Sequence, residues 1–176
     1  MIFIETALQG AFLIEIEKFE DNRGFFARAF CRTEFEKHGL NPLVVQTNVS
    51  FNRRKGTLRG MHYQAHPYDE TKLVRCTRGA IYDVIIDLRQ DSPSYKQWVG
   101  VELTSDNHRI LYVPESFAHG FQTLEDGTEV TYQVSQFYSP GYERGTRYND
   151  PAFAIQWPLP VAVISEKDRN WTDFLA

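Results

Sequence analysis

Residues 80 to 88 read AIYDVIIDL, and the alternation within this stretch indicates the fold class. Alternate residues of an extended chain share a face, so one face carries Ala80, Tyr82, Val84, Ile86 and Leu88 and the other carries Ile81, Asp83, Ile85 and Asp87. This repeat of two residues is typical of a β-strand, and the RQDSP that follows at 89 to 93 predicts a turn.

Similar short runs, rich in β-branched and aromatic residues, recur along the chain. They are separated by clusters of Gly, Pro, Asn, Asp and Ser, and they span 12 to 19, 43 to 49, 57 to 63, 72 to 77, 98 to 103, 109 to 113 and 128 to 134. So many short strands predict a mostly β protein built as a sandwich or a barrel.

Helix signals are sparse in this sequence. Thr33 and Glu36 fit a capping box, Phe35 is the apolar residue of the same segment, and Gly39 predicts its end. The tail from 165 to 174, SEKDRNWTDF, predicts either a final helical turn or a packed loop. We therefore expect one or two short helices.

Composition limits the functional class. The 176 residues are 42% hydrophobic and 24% charged, which is ordinary for a globular protein and excludes disordered, collagen-like and coiled-coil chains. We predict one domain over residues 1–176. Because 19 Lys and Arg stand against 23 Asp and Glu, the net charge is −4, and nucleic acid and acidic membrane surfaces are not expected partners.

Cysteine usage and hydropathy indicate the compartment. Cys31 and Cys76 match no metal-binding or redox spacing, and they cannot form the disulfide framework of a secreted domain. The first nine residues lack the basic start of a signal peptide, and no apolar run reaches the ~20 residues of a membrane span. We expect a cytoplasmic protein.

The interior of a two-sheet barrel is lined by alternate side chains, so polar residues with inward parity predict a ligand pocket. This rule selects the strands that carry His62, Lys72 and Tyr132, together with the segment that carries His119. On a protein of net charge −4, any basic patch must be local.

His62 lies in the densest candidate segment, KGTLRGMHYQ at 55 to 64. A regular strand places Arg59 and His62 on opposite faces, whereas a bulge at Gly60 would change that relation. The imidazole is either a core or rim histidine satisfied by a backbone carbonyl or an acid–base group, and the residues alone favour the first role. The residues alone also predict that the charged run at 165 to 169 is a solvated turn.

The other candidates also have two interpretations. Tyr132 lies on the apolar face of TEVTYQV, 128 to 134, as a core tyrosine or as a phenol that donates a proton in a cavity. Lys72 shares its face with apolar side chains, as a lysine that reaches solvent or as a cation that meets an anion. His119 lies in VPESFAHGF, 113 to 121, which reads as a turn between Pro and Gly.

These segments belong to a longer series that includes DNRGFF (21 to 26), VVQTNVS (44 to 50), KGTLRGMHYQ (55 to 64), KLVRCTRGAIYDVIIDLR (72 to 89), SPSYKQWVGVEL (92 to 103), VPESFAHGFQTL (113 to 124), EVTYQVSQFYSP (129 to 140), ERGTRYNDP (143 to 151) and SEKD (165 to 168). Together they resemble the nucleotide-sugar 4-keto 3,5-epimerases, the dTDP-4-dehydrorhamnose 3,5-epimerase family. The resemblance covers nearly the whole chain.

The resemblance implies a cupin-type jelly-roll barrel and a homodimer whose N-terminal segments contribute across the interface. It implies that the enzyme epimerises C3, C5 or both in a nucleotide-diphosphate 4-keto-6-deoxy sugar, in dTDP-rhamnose and polysaccharide biosynthesis, without a cofactor. It assigns His62 as base with Asp168, Tyr132 as proton donor and Lys72 beside the sugar carbonyl. Substrate contacts by the same resemblance are Arg23, Gln46, Asn48, Arg59, His119, Tyr138, Glu143 and Lys167, with Tyr138 near the nucleotide base.

Two features of the sequence concern ligands. Many cupins bind a metal through histidines, but here Gln64 follows His62 and Lys72 adds positive charge nearby, so no metal is expected. Family members commonly carry a glutamate five residues after the arginine of RGFF, where this chain has Arg28. A guanidinium only donates hydrogen bonds, so we expect Arg28 to contact a base edge with acceptors, such as cytosine, or a phosphate.

Four alternative functions differ in their chemistry. A single-centre epimerase or a keto-isomerase would use a similar barrel, and Tyr132 argues against the isomerase. A non-catalytic sugar-nucleotide binding module would not need His62, Asp168 and Tyr132 together. A metal-dependent cupin oxygenase would bind iron and lose activity with a chelator.

Overall fold

The computed structural model describes residues 1–174. The strands and helices in this part of the chain are β1 (Ile2–Glu5), β2 (Phe12–Glu15), β3 (Phe19–Asp21), β4 (Gly24–Phe26), α1 (Arg32–Lys37), β5 (Gln46–Asn52), β6 (Leu58–Gln64), β7 (Lys72–Arg78), β8 (Ala80–Asp87), β9 (Trp98–Thr104), β10 (Ile110–Val113), β11 (Phe117–Thr123), β12 (Thr128–Val134), β13 (Glu143–Gly145) and α2 (Glu166–Arg169).

Two antiparallel sheets form the body of the protein. The first sheet has the spatial order β1-β2-β10-β7-β12-β5, and the second has the order β13-β6-β11-β8-β9. Strands β3 and β4 form a separate hairpin. Non-consecutive strands lie side by side in both sheets, as in a jelly roll, which confirms the predicted mostly β barrel with two short helices.

The alternation in β8 is also confirmed, because the two faces of this strand enter different clusters. Ile81 and Ile85 pack between the sheets with residues of both, including Val130 of the first sheet. Val84 and Ile86 pack on the outer side of the second sheet. A strand with both faces buried has few tolerant positions, since each fully buried Ile contributes roughly 1.5–3 kcal/mol to folding.

The short helix α1 covers the outer face of the first sheet through Phe35, which is 1% exposed. The predicted capping box is wrong: the N-cap is Cys31, it makes no side-chain cap hydrogen bond, and Thr33 lies inside the helix. Packing of Phe35 outweighs the local capping preference, while the predicted end at Gly39 is confirmed by its φ of 70° just after the C-cap. Neither helix in residues 1–174 has the length and apolar character needed to cross a membrane.

The turn predicted between Pro114 and Gly120 is wrong for most of its length, because β11 begins at Phe117. This strand lies between β6 and β8, and every residue in it is buried. It therefore lacks the polar alternation that marks a half-exposed strand. Gly120 is needed there, since a Cβ would come within 2.7 Å of the Arg59 carbonyl oxygen. The sequence reading also omitted β1, β3, β4 and β13, which are three or four residues long.

Candidate active site

A cavity of about 540 Å³ opens between the two sheets. Strands β5, β7 and β12 supply one wall, and β6 and β11 supply the opposite wall. Most of the site residues expected from the sequence line it, namely Gln46, Asn48, Arg59, His62, Lys72, His119, Tyr132, Tyr138, Glu143 and Asp168. The fold therefore brings together residues from six strands, one helix and the loop that carries Tyr138.

A bulge in β6 places Arg59 and His62 on the same side. His62 pairs with His119 and Arg59 pairs with Phe121 on β11, so the register shifts by one residue between the two pairs. Gly60, at φ 121°, takes up this shift, and a Cβ on it would lie 2.5 Å from the Cα of Gly120. The bulge considered at Gly60 is confirmed, and both polar side chains line the cavity.

His62 forms a dyad with Asp168. The imidazole Nε2 lies 2.6 Å from the carboxylate Oδ1, and the Gly60 amide donates to Oδ2 at 3.3 Å. A carboxylate only accepts hydrogen bonds, so Nε2 carries the proton and Nδ1 of a neutral imidazole keeps its lone pair. In this tautomer the ring orientation is fixed by Asp168, and Nδ1 is able to accept a proton.

Helix α2 sets the position of Asp168. Ser165 is its N-cap, and the Ser165 hydroxyl accepts from the Asp168 amide at 3.0 Å. Burial by itself raises the pKa of Asp168, but hydrogen bonds from His62 and Gly60 outweigh burial and hold this pKa below its usual value. The carboxylate is therefore ionised when it meets the imidazole. The final helical turn predicted in the tail is confirmed, and residues 165 to 169 are solvent-exposed except for Asp168, which lines the cavity.

Tyr132 lies on the opposite wall from His62. It pairs with Asn48 and Val74 in the first sheet and packs against the inter-sheet cluster, as its apolar parity predicts. Burial, together with the charges of Glu70 and Glu143, raises the pKa of Tyr132 above its usual value despite an opposing effect from Arg59. The phenol is therefore protonated near neutral pH and has a proton to donate.

Lys72 points into the cavity and does not extend to solvent. Its side chain is 9% exposed, and Nζ lies 3.3 Å from Oε1 of Glu70 and 3.4 Å from the His62 carbonyl oxygen. The sequence reading did not select Glu70, because no regular element contains it and its proximity depends on the path of the loop before β7. Lys72 Nζ therefore lies beside the backbone of His62, in the same cavity as the imidazole.

A second histidine–carboxylate pair involves His119. Its Nε2 lies 2.7 Å from Oδ1 of Asp83, which is fully buried on β8. Oδ2 of Asp83 is buried and has no hydrogen-bond partner among the described residues. Asp83 was not selected from the sequence. It could have been, because Asp83 alternates with Ile81 and Ile85, which face the space between the sheets. Because His62 and His119 are cross-strand partners, two orientated imidazoles stand side by side in one wall.

The rim of the cavity carries further polar contacts. The Arg59 guanidinium donates to Oδ1 of Asn52 at 2.7 Å. Lys167 does not line the cavity, but its ammonium pairs with Glu143, which does. That carboxylate raises the pKa of Lys167. The Tyr138 side chain lies at the opening and is 59% exposed, with its backbone amide held by Gln46 at 2.8 Å.

Two expected site residues lie away from the cavity within this chain. Arg23, in the turn of the β3–β4 hairpin, pairs with Asp21 at 2.5 Å. Arg28 pairs with Glu34 at 3.2 Å and lines a separate pocket of about 170 Å³. The structure therefore does not bring these two arginines to the other site residues. Residues 1–174 contain no group of three or more His, Cys, Asp or Glu side chains placed to hold a metal ion.

The geometry defines an acid–base site for a carbon acid. An imidazole paired with a carboxylate stands in one wall, a protonated phenol stands in the other, and a lysine paired with Glu70 lines the same cavity. Removal of a proton on one face of a ring and its return on the other face inverts a carbon, which is the work of an epimerase.

Comparison with known proteins gives the family. Residues 5–175 match the family described as dTDP-4-dehydrorhamnose 3,5-epimerase, and the chain belongs to this family. The dTDP-4-dehydrorhamnose 3,5-epimerase of Methanothermobacter thermautotrophicus is 45% identical over 172 residues, which are 96% of this chain and 92% of that protein.

Solved structures agree with this assignment. The dTDP-4-dehydrorhamnose 3,5-epimerase of Bacillus anthracis, with TDP and PPi bound, is 45% identical with a TM-score of 0.94, over 98% of this chain and 99% of that chain. A 3′-monoepimerase from Streptomyces bikiniensis, in complex with dTDP-quinovose, is 30% identical with a TM-score of 0.86, over 96% of this chain and 85% of that chain.

Proposed function

We propose that this protein epimerises C3 and C5 of dTDP-4-dehydro-6-deoxyglucose and so produces dTDP-4-dehydrorhamnose, using side-chain acids and bases. The observation that carries the proposal is the His62–Asp168 dyad in one wall of a cavity whose other wall presents Tyr132. The family assignment supports the nucleotide sugar as substrate class.

The first step is removal of a proton from the carbon beside the ketone. The C4 carbonyl acidifies the hydrogens on C3 and C5, so Nδ1 of His62 takes one as a proton and the C–H electron pair becomes an enolate. Asp168 stabilises the imidazolium that results, because it accepts the Nε2 hydrogen bond at 2.6 Å. A positioned base of this kind supplies about 10² to 10⁴ in rate.

The enolate oxygen then needs a cation, and the inverted carbon needs a proton. Lys72 is proposed to face the C4 oxygen, where one preorganised donor is worth roughly 3–4 kcal/mol of transition-state stabilisation. Tyr132 donates its proton from the opposite face, and the carbon returns to sp³ geometry with inverted configuration. The imidazolium of His62 then loses its proton to water and the Tyr132 phenolate regains one, after which the same cycle at the second carbon completes the double epimerisation.

The test is incubation of the protein in D₂O with dTDP-4-dehydro-6-deoxyglucose, followed by NMR. We expect deuterium at both C3 and C5 of the product, since each inversion exchanges one carbon-bound hydrogen with a solvent-derived proton. Deuterium at neither carbon would contradict the proposal and favour a binding module. The cupin oxygenase alternative predicts instead that activity requires iron and falls with a chelator.

A single-centre epimerase is the second candidate, and the resemblance to a 3′-monoepimerase favours it specifically. The two candidates share a barrel, so the number of labelled carbons separates them. One labelled carbon with inversion indicates the single-centre enzyme, and one labelled carbon with migration of the keto group indicates the isomerase. The higher identity to the 3,5-epimerases, 45% against 30%, supports inversion at both centres.

Arg28 is proposed to contact the nucleotide. Its side chain is 60% exposed and its partner Glu34 also binds the amino terminus, so the guanidinium is only weakly held. We expect it to donate to acceptors on a base edge, such as that of cytosine, or to a phosphate. Titration with dTDP, CDP, GDP and UDP decides between these roles, and a clear preference for dTDP would remove the base-edge hypothesis.

A homodimer is proposed because the hairpin that carries Arg23 exposes large apolar side chains. Phe19 is 69% exposed and Phe26 is 71% exposed, and Val49 on the edge strand β5 is 64% exposed. Burial of these groups against a second copy would bring the hairpin of one protomer to the cavity of the other. The Arg23 of each protomer would then serve its partner's site.

Subunit complementation tests this arrangement. The variants Arg23→Ala and His62→Asn are each expected to be inactive, and mixing them after dissociation should restore activity in hybrid dimers that contain one intact site. Failure to restore activity in verified hybrids, or a monomer in sedimentation experiments, would contradict it. We also propose that the dimer is cytoplasmic, which is compatible with the free cysteines Cys31 and Cys76.

A further inference from the structure

We propose that Glu70 is a positioning residue of the active site, which holds Lys72 beside His62 in the absence of substrate. This inference rests on the proposed function, because Lys72 acts there on the C4 oxygen. It concerns a carboxylate that the acid–base mechanism does not otherwise use.

The geometry gives Glu70 two partners inside the cavity. Oε1 lies 3.3 Å from Nζ of Lys72, and Oε2 accepts from Nε2 of Gln64 at 3.2 Å. The carboxylate is 13% exposed and lines the same cavity as the dyad. Glu70 therefore fixes the lysine on one side and is itself fixed on the other.

Gln64 anchors this arrangement to the strand that carries His62. It is 4% exposed, and its two Nε2 hydrogens are shared among the Glu70 carboxylate and the backbone carbonyls of Tyr68 and Phe137, at 3.1–3.2 Å. Its Oε1 accepts from the Ser139 amide at 2.7 Å. The loop that contains Tyr68 and the segment from Phe137 to Ser139 are thus tied to β6. The Glu70 carboxylate cannot move far without breaking this set of hydrogen bonds.

The need for such a partner follows from the chemistry of a buried lysine. An ammonium on a flexible four-carbon stem has many rotamers, and only a few place Nζ beside a ring carbonyl. The other polar contact found for Nζ within residues 1–174 is the His62 carbonyl at 3.4 Å, which is a weak one. A nearby carboxylate supplies the attraction that selects the productive rotamer before the enolate forms.

Kinetics of a double-mutant cycle test the inference in the full-length protein. Glu70→Ala should lower kcat about tenfold while KM changes less than about threefold, since the lysine is misplaced rather than removed. In a Lys72→Ala background the same change should have an effect of less than about twofold, because Glu70 acts through Lys72. A loss of equal size in both backgrounds would mean a structural role and overturn the inference.

Asp69→Asn is the matched control. It removes the same charge from the neighbouring residue, whose carboxylate contacts His66 and Ser116 and does not line the cavity. We expect wild-type kinetics from it, whereas a tenfold loss equal to that of Glu70→Ala would show that any disturbance of this loop suffices and would overturn the inference.

A crystal structure of Glu70→Ala gives a readout that does not depend on the substrate. The inference predicts that Nζ of Lys72 leaves the His62 carbonyl, and an Nζ in its original place contradicts it. If the wild-type protein is inactive on the keto sugar, the proposed function is wrong. The role of Glu70 is still decided by the position of Nζ in this crystal structure.

Discussion

Replacement of Asp168 by Asn tests how the dyad sets the tautomer of His62. Asp168 offers two acceptor oxygens, one to Nε2 of His62 at 2.6 Å and one to the Gly60 amide at 3.3 Å. Asn offers one oxygen and one NH₂ in the same volume. In one orientation of the Asn side chain the oxygen accepts from His62, and the NH₂ then faces the Gly60 N–H, which loses its acceptor. In the other orientation the oxygen accepts from Gly60, and the NH₂ donates to Nε2 of His62, so that the imidazole proton moves to Nδ1.

Both orientations remove catalytic power, and the size of the loss can be bounded. Loss of a hydrogen bond to a charged group costs about 1.5–3 kcal/mol, and the upper value corresponds to about 10² in rate. The second orientation also leaves Nδ1 without its lone pair, and a wrong tautomer of this kind costs about 10⁴ in a catalytic triad. We therefore expect kcat for Asp168→Asn to fall by about 10² to 10⁴.

The assay is the rate of deuterium uptake at C3 and C5 of the keto sugar in D₂O, compared with wild type at equal protein concentration. Calorimetric titration with dTDP shows whether the variant still binds nucleotide, and thermal unfolding shows whether it is folded. An uptake rate within about threefold of wild type, with unchanged dTDP affinity, would refute the role given to the dyad.

Three further predictions concern other parts of the chain. Asp83→Ala frees His119 from its buried partner and should raise KM about tenfold with a smaller change in kcat, as measured by steady-state kinetics. Burial alone would raise the pKa of Asp87, but its hydrogen bonds lower it to about 2, so the stability it contributes is present above pH 3.8 and is lost as the pH falls through 2. The free energy of unfolding of Asp87→Asn, measured with urea, should therefore differ from that of wild type by roughly 2 kcal/mol less at pH 2 than at pH 5. A difference that stays the same at both pH values would contradict this. Arg28→Glu should shift nucleotide preference towards dTDP in competitive binding, and an unchanged preference would separate Arg28 from base recognition.

The sequence predicted β8 and β12 because each is a continuous run rich in β-branched residues, and the inward parity of Tyr132 followed from its neighbours. β11 was missed because Pro114 and Gly120 are typical turn residues, although the strand is buried along its whole length. The capping box at Thr33 was a local signal that the packing of Phe35 outweighed.

The site could be predicted only in part. The residues that line the cavity were selected from motifs in the sequence. Which of these side chains contact one another depends on strand register and on loop paths, and distant segments of the chain determine both. The proximity of His62 to His119 is a cross-strand relation, and that of Glu70 to Lys72 depends on the loop before β7. Arg23 and Arg28 lie away from the cavity in this chain, and no local pattern in the sequence describes that separation.

The opposition of an imidazole and a phenol across the sugar ring is tested most directly by two variants measured together. His62→Asn and Tyr132→Phe are incubated with dTDP-4-dehydro-6-deoxyglucose in D₂O, and NMR follows both isotope and configuration. We predict no deuterium uptake by His62→Asn, and uptake without inversion by Tyr132→Phe, since the base alone then returns deuterium to the face it deprotonated. Uptake by His62→Asn at the wild-type rate, or full inversion by Tyr132→Phe, would contradict the account.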